Sequence, residues 1–559
     1  MAITFIANDP AAAIPAQQIV ASPNRPAGQM AFKVANLPVE QVYAVETEEF
    51  VAWQAREAAL RTLATFESFV GPLQGWIGRP AKLSLDLIPN EGVDLNAFYD
   101  RRSVSFFSFP LGGGRTVFSG ASADVVAHEV GHAILDALRP DLWDVDMFEV
   151  PAFHEGFGDC IAIMAALADR DIRAALLAAS PQLDTANFVE GTAEELSLAI
   201  GIAVGPTHNA AQPRRAMNAF KWALPQSLPD DGGPGVLINE IHSFGQLASG
   251  CYYELIREIF LAGPGGEAGL LQACQVATRL LAQAAAESPI RPRFLETVGR
   301  TMVLADQNLF GGANETHLRA AFERHDITLS VANFLAPRMA LVPASTKKVK
   351  ASSQGTNLPA LNTAAKRLLN EVMEVSPKEK FTHAAFTVAG ADISQITTHR
   401  SVDLTGLSEA LANVKSYNPY SALVGNSGGV PAVLGAVDPG AVISSEVRSY
   451  VATLIRRGQV DLTPPKGKSK AKATPSGRTA KKAAASASRK SRNKKGAGYL
   501  SEKGRATHVL KVQGEEVVLE RIGFACVCHS AGLTAGRSWP SAFGRTRRQV
   551  RSGWQCSQS

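Results

Sequence analysis

Residues 124–138, DVVAHEVGHAILDAL, decide how this chain is read. The stretch is apolar nearly throughout, yet it carries His128, Glu129 and His132. On a helix, residues four apart share a face, so His128 and His132 aim two ring nitrogens at one point. A zinc ion accepts such a pair at roughly 2.0–2.1 Å. Glu129, one residue on, is rotated off the ion but reaches a water beside it, where a general base is needed. The pattern is H-E-x-x-H, and it points to metal-assisted hydrolysis.

A catalytic zinc needs a third protein ligand and an open position. The metzincin solution would place Gly at 135 and His at 138, but Leu135 and Leu138 stand there. Downstream, FHEGFGDC at 153–160 sets Glu155 and Asp159 four apart on a second helical stretch. Glu155 is expected as the third ligand. Asp159, one turn later, is expected to accept a hydrogen bond from the far nitrogen of His128, which fixes the tautomer and raises ligand basicity. The surrounding FHEGFGDCIAIMAAL is too apolar to be a solvated face.

With these motifs in place, the chain resembles the thermolysin-like metallopeptidases, or gluzincins. DVVAHEVGHA is similar to that family's active-site helix. HEGFGD is similar to its Asn-Glu-x-x-x-Asp helix, with His154 in place of the Asn. The resemblance spans about 45–328 and implies further roles. In DLNAFYDRRSVSFF, Asn96 and the backbone of Ala97 would hold a substrate peptide by adding it as a further strand. In QPRRAMNAF, read as a helix, Arg215 would bind the carbonyl after the scissile bond, with Arg214 as the other match. In INEIHSFGQL, His242 would be the second catalytic histidine, donating to the oxyanion. The acid that precedes this histidine in the family has no clear counterpart here: position 237 is Leu, and whether Asp231 or Glu240 substitutes is left open. Zn2+ is the implied cofactor. Of the family's calcium ligands only Asp124 finds a match, so Ca2+ is left without support. The family is typically secreted with a signal and a long inhibitory pro-region, and neither is visible in this sequence.

The expected fold class is therefore α+β: a two-lobed thermolysin-like metallopeptidase domain, with an N-terminal mixed β-sheet plus active-site helix and a C-terminal helical lobe. Its bounds are 45–330, after a loosely structured extension at 1–44. Helices are expected at 122–138, 153–169, 190–204, 212–223, 239–261, 266–286, 291–308 and 315–324. Beyond lie a linker at 331–360, a small mixed α/β region at 361–462, a disordered basic linker at 463–498, and a C-terminal hairpin and tail at 499–559.

Composition is that of an ordinary soluble chain of 559 residues, 46% hydrophobic and 19% charged. Twelve Lys and Arg with no acid lie in 466–495, so the formal +5 of the whole chain becomes −7 without them. Weak, salt-dependent polyanion binding by that tract is the only partner its charge suggests, beside the peptide or protein substrate. No apolar run reaches the roughly 18 residues of a membrane span. MAITFIANDPAAAIPAQQIV lacks the basic start and long apolar core of a secretory signal, so a cytoplasmic location, or non-classical export, is expected. The six cysteines, Cys160, Cys251, Cys274, Cys526, Cys528 and Cys556, show no framework spacing and fit a reducing compartment. CVCH at 526–529 reads as a strand with two buried thiols more readily than as a metal site. The expected activity is zinc-dependent endopeptidase cleavage with Glu129 as general base. The competing expectation is a catalytically inactive zinc-binding relative acting as a scaffold.

Overall fold

The computed structural model describes residues 2–12, 17–22, 25–341, 363–376, 379–388, 391–427, 430–465 and 506–525. The expectations for the basic tract at 466–495 and for CVCH at 526–529 lie outside these residues.

The fold is mixed α/β. The chain opens with a hairpin, β1 (Ala2–Phe5) and β2 (Gln18–Ala21), followed by β3 (Ala31–Val34) and helix α1 (Glu48–Val70). The described residues of 1–44 are therefore not loosely structured as expected. Ile3 and Phe5 are buried, and Ile6 exchanges backbone hydrogen bonds with the side chain of Gln54 on α1. The apolar letters of this short hairpin are too few to stand out from an irregular segment. Thr47 caps α1 by accepting from the Phe50 amide, and Glu48 and Glu49 suit the positive end of the helix.

Next come β4 (Ser84–Ile88), β5 (Ala97–Tyr99) and β6 (Ser103–Phe106), then the hairpin β7 (Ser108–Gly112) and β8 (Arg115–Phe118). β3, β4 and β6 run parallel, and β5 returns antiparallel on β6. The DRR turn between β5 and β6 closes because the Asp100 carboxylate accepts from the amides of Arg102 and Ser103, at 2.9 and 2.8 Å. Arg101 and Tyr99 both bond Asp136 of the next helix, at 2.6 and 2.7 Å, which fixes β5 over it.

That helix is α2 (Ala123–Leu138); α3 (Glu149–Ala168), α4 (Arg170–Ala179), β9 (Gly191–Thr192), α5 (Glu194–Val204) and β10 (Arg214–Arg215) follow. α2 and α3 are apolar on nearly every face and are buried on nearly every face. Among the described residues, α3 is the one helix long and apolar enough to cross a membrane, and 94% of that stretch is buried in the protein interior. The helix expected at 212–223 does not form: Arg214 and Arg215 instead pair as a strand with Thr192 and Gly191, and Glu190 takes the Arg215 guanidinium. Then come α6 (Ile241–Ala262), α7 (Gly266–Glu287), α8 (Phe294–Phe310) and α9 (Glu315–Glu323).

The rest of the chain builds α10 (Val331–Leu335), β11 (Pro337–Ala340), α11 (Thr363–Val372), β12 (Thr382–Val388), β13 (Ala391–Asp403), β14 (Val414–Ser427), β15 (Val430–Leu434), α12 (Gly440–Arg456), β16 (Val460–Asp461), β17 (His508–Gln513), β18 (Glu516–Arg521) and β19 (Phe524–Ala525). The hairpin β17–β18 joins the 391–461 strands in one sheet, through β16 beside β17 and β14 beside β18. β19 leaves that sheet and pairs with β5 of the N-terminal one.

The C-terminal sheet docks on the segment 139–146 that links α2 to α3. Asp146 accepts from Ser416 at 2.7 Å, from Arg521 at 3.3 Å, and sits 3.3 Å from His508 Nε2. Arg521 also donates to the Trp143 and Val145 carbonyls. Burial pushes the Asp146 carboxyl up, but His508 and Arg521 outweigh it and hold it below its ordinary 3.8. Removing one partner of a buried ionic network leaves the other uncompensated, so Asp146→Ala is expected to cost about 3–5 kcal/mol, read from urea unfolding. Burial, with Arg521, lowers His508 from 6.5. The unfolded chain thus binds the proton more readily, and this group's share of stability is lost as pH falls through 6.5. The urea midpoint of the wild type should drop between pH 8 and pH 5 by more than that of His508→Gln.

Candidate metal centre

Glycines let the helices that carry the site approach closely. A Cβ at Gly131 of α2 would lie 2.9 Å from the Gly158 Cα of α3, and one at Gly156 would run into the Gly245 carbonyl of α6. A Cβ at Gly158 would lie 2.6 Å from His128 Nδ1. Gly158→Ala is therefore expected to displace the His128 ring and to weaken metal binding about 10–100-fold, with helix content by circular dichroism unchanged.

Within this packing, His128, Glu129, His132 and Glu155 are all 0% exposed. Ligating atoms of His128, Glu129 and His132 lie within 4.8 Å of one another. Glu155 Oε2 stands 3.3 Å from His128 Nε2 and 3.6 Å from His132 Nε2. These two ring nitrogens and all four carboxylate oxygens complete no hydrogen bond. Buried polar atoms without partners are costly, and six converging on one place fit a divalent cation. The donor set of two imidazoles and a carboxylate is one that zinc takes.

The surrounding groups orient these donors. Asp159 Oδ1 lies 2.8 Å from His128 Nδ1, and Arg214 clamps the same carboxylate, with Nη2 2.8 Å from Oδ1. Burial would raise Asp159, but Arg214 and His128 hold it well below the usual carboxylate range. Burial and Arg214 push His128 down, yet Asp159 and Glu155 carry it to about 9. Burial lowers His132 to about 4, so its ring is neutral and offers a lone pair, while its Nδ1 lies 3.1 Å from His154 Nδ1. Burial, opposed by His128 and reinforced by Glu155, lifts Glu129 to about 8.

His242, at the start of α6, brings Nε2 to 3.2 Å from Glu155 Oε2. Its Nδ1 lies 2.6 Å from Glu240 Oε1. Glu240 also caps α6 by accepting from the His242 and Ser243 amides, so one side chain sets both the helix start and the ring. Of the two acids left open by the sequence, Glu240 is thus the one on His242. Of the two arginines, Arg214 is the one beside His128. Arg215 turns to Glu190, with Nη1 2.6 Å from Oε1, and lines a cleft of about 320 Å³ with Leu196, Ile200, Phe220 and His242.

Asn96 is buried, with its side-chain oxygen on the Ala97 amide at 2.9 Å, and Ala97 begins β5. The outer edge of β5 is taken by β19, with Phe524 opposite Tyr99 and Ala525 opposite Phe98. Asp124 accepts from the Ala193 amide at 2.8 Å and meets Asp9 and Glu194 in a second group that could hold a cation. Burial and the neighbouring acid raise Asp124 to about 8 and Glu194 to about 7. Nothing in the sequence joins Asp9 to the other two, because the chain between them carries no spacing signal.

Set against known proteins, the sequence matches no family model and no curated protein.

Proposed function

We propose that the chain is a zinc-dependent metalloendopeptidase of the thermolysin-like kind, hydrolysing peptide bonds with Glu129 as general base. The observation that carries the reading is the convergence of His128, His132 and Glu155 with Glu129 beside them, all buried and all without hydrogen-bond partners at the meeting point. A structural ion needs no base next to it; a hydrolytic one does. The succession of a mixed sheet, the α2 and α3 helices and a helical lobe carrying His242 is the order that the family resemblance implies.

His128, His132 and Glu155 would hold the ion, which when bound polarises a carbonyl and acidifies a water. Glu129 takes the proton of the attacking water and returns it to the leaving amine nitrogen. His242, its Nδ1 held by Glu240, donates from Nε2 to the oxygen that gains charge as the carbonyl carbon becomes tetrahedral. Asp159 and Arg214 keep the His128 ring in place.

The rival reading, an inactive zinc-binding scaffold, draws support from the covered edge of β5 and the complete burial of Glu129. Chelator-sensitive cleavage of unfolded casein by the zinc-loaded chain separates the two. Cleavage that stops with chelator and returns with zinc supports the peptidase; intact casein with zinc bound supports the scaffold.

A further inference from the structure

The strand β19 lies where a substrate would. β5 is the edge that the peptidase reading assigns to a substrate peptide, and Phe524–Ala525 pairs with it antiparallel. The Phe524 ring, 1% exposed, stacks on His132 at 5.0 Å between centroids and on His154 at 4.2 Å, and meets Trp143 edge-on at 5.4 Å. Arg521 covers it at 4.6 Å, and Ile522 packs on Phe98 and Phe107. A short strap from the C-terminal hairpin thus crosses the edge strand and rests an aromatic ring against a metal-site histidine. His128, Glu129, His132 and Glu155 beside it are wholly buried.

Among the described residues, two pairs join β19 to β5. β-addition draws affinity from main-chain hydrogen bonds and specificity from side-chain pockets, and in β19 the Phe524 ring fills such a pocket.

We propose that Phe524–Ala525 is an intramolecular competitor for the peptide-binding edge, which keeps the chain latent until displaced by an extended peptide bearing an aromatic side chain in the place of Phe524. This rests on the peptidase reading for the use of the edge. Being tethered, the competitor acts at an effective concentration of about millimolar order, so a free peptide must overcome it before binding.

The test uses the full zinc-loaded chain in a Glu129→Gln background, which keeps the probe intact. The probe is a fluorescein-labelled octapeptide with one Phe among Ala and Ser. Phe524→Ala removes the ring; Ala525→Pro removes a backbone N–H from the strand. Both are expected to bind the probe at least tenfold more tightly than the parent. In the parent, saturating probe is expected to raise amide exchange at 524–525 while 97–99 stays protected. Equal affinity in parent and variants, or probe binding with no change at 524–525, overturns the proposal; the exchange measurement decides should a variant fail to fold. With Glu129 restored, tighter binding without cleavage would sink the peptidase reading and leave the occlusion standing. Equal cleavage by wild type and variants would do the reverse.

Discussion

Glu129→Gln is expected to lower the rate of casein hydrolysis by about 10²–10⁴-fold while leaving the metal content of the purified protein unchanged. The substitution keeps volume and one oxygen but removes the group that accepts the proton. Neither Glu129 oxygen makes a hydrogen bond in the folded chain, so the change breaks no structural contact. Stability should hold or rise, because burial already disfavours the Glu129 carboxylate. A loss of activity with equal metal and an unchanged urea midpoint assigns the chemistry to Glu129. A variant as active as wild type would leave the base elsewhere and remove the mechanism.

The second large effect is on stability. Zinc in thousandfold excess over its dissociation constant is expected to stabilise the folded chain by about 4 kcal/mol, since the unfolded chain offers no assembled site. The mechanism is electrostatic: two carboxylates and two imidazoles meet in the interior with six donor atoms that complete no hydrogen bond, and a divalent ion satisfies them. Glu155→Ala should abolish the zinc dependence of the urea midpoint, because Glu155 is the carboxylate that α3 brings to the Nε2 atoms of both histidines. Arg215→Ala, with its side chain on Glu190, should leave it in place.

The parts of this site that the sequence exposes are those set by one helix at a time. His128 and His132 share a helical face, and Glu155 and Asp159 share another, so spacing alone predicts which atoms meet. Where a loop decides, spacing fails. Arg214 and Arg215 are neighbours, and a one-residue shift sends one to Asp159 and the other to Glu190. The strand β10 that sets this register is two residues long, too short for alternation to show. Glu240 reaches His242 from the helix cap, whereas the sequence left Asp231 open as the acid beside it.

Pairings across long separations leave still less trace. Asp9 meets Asp124, Phe524 meets His132, and the 508–521 hairpin completes the sheet begun at 337, each through tertiary packing that local periodicity does not encode. That sheet docks on the link between α2 and α3. The same Arg521 that grips the Trp143 and Val145 carbonyls also covers Phe524, so the hold of the C-terminal sheet and the cover over the centre are one connected set of contacts.

The account stands most directly on metal stoichiometry. The wild-type chain, loaded with zinc and dialysed against metal-free buffer, should retain one equivalent held by His128, His132 and Glu155, and Glu155→Ala should retain none at that site. Wild type emerging metal-free, or Glu155→Ala retaining the ion as firmly as wild type, would contradict it.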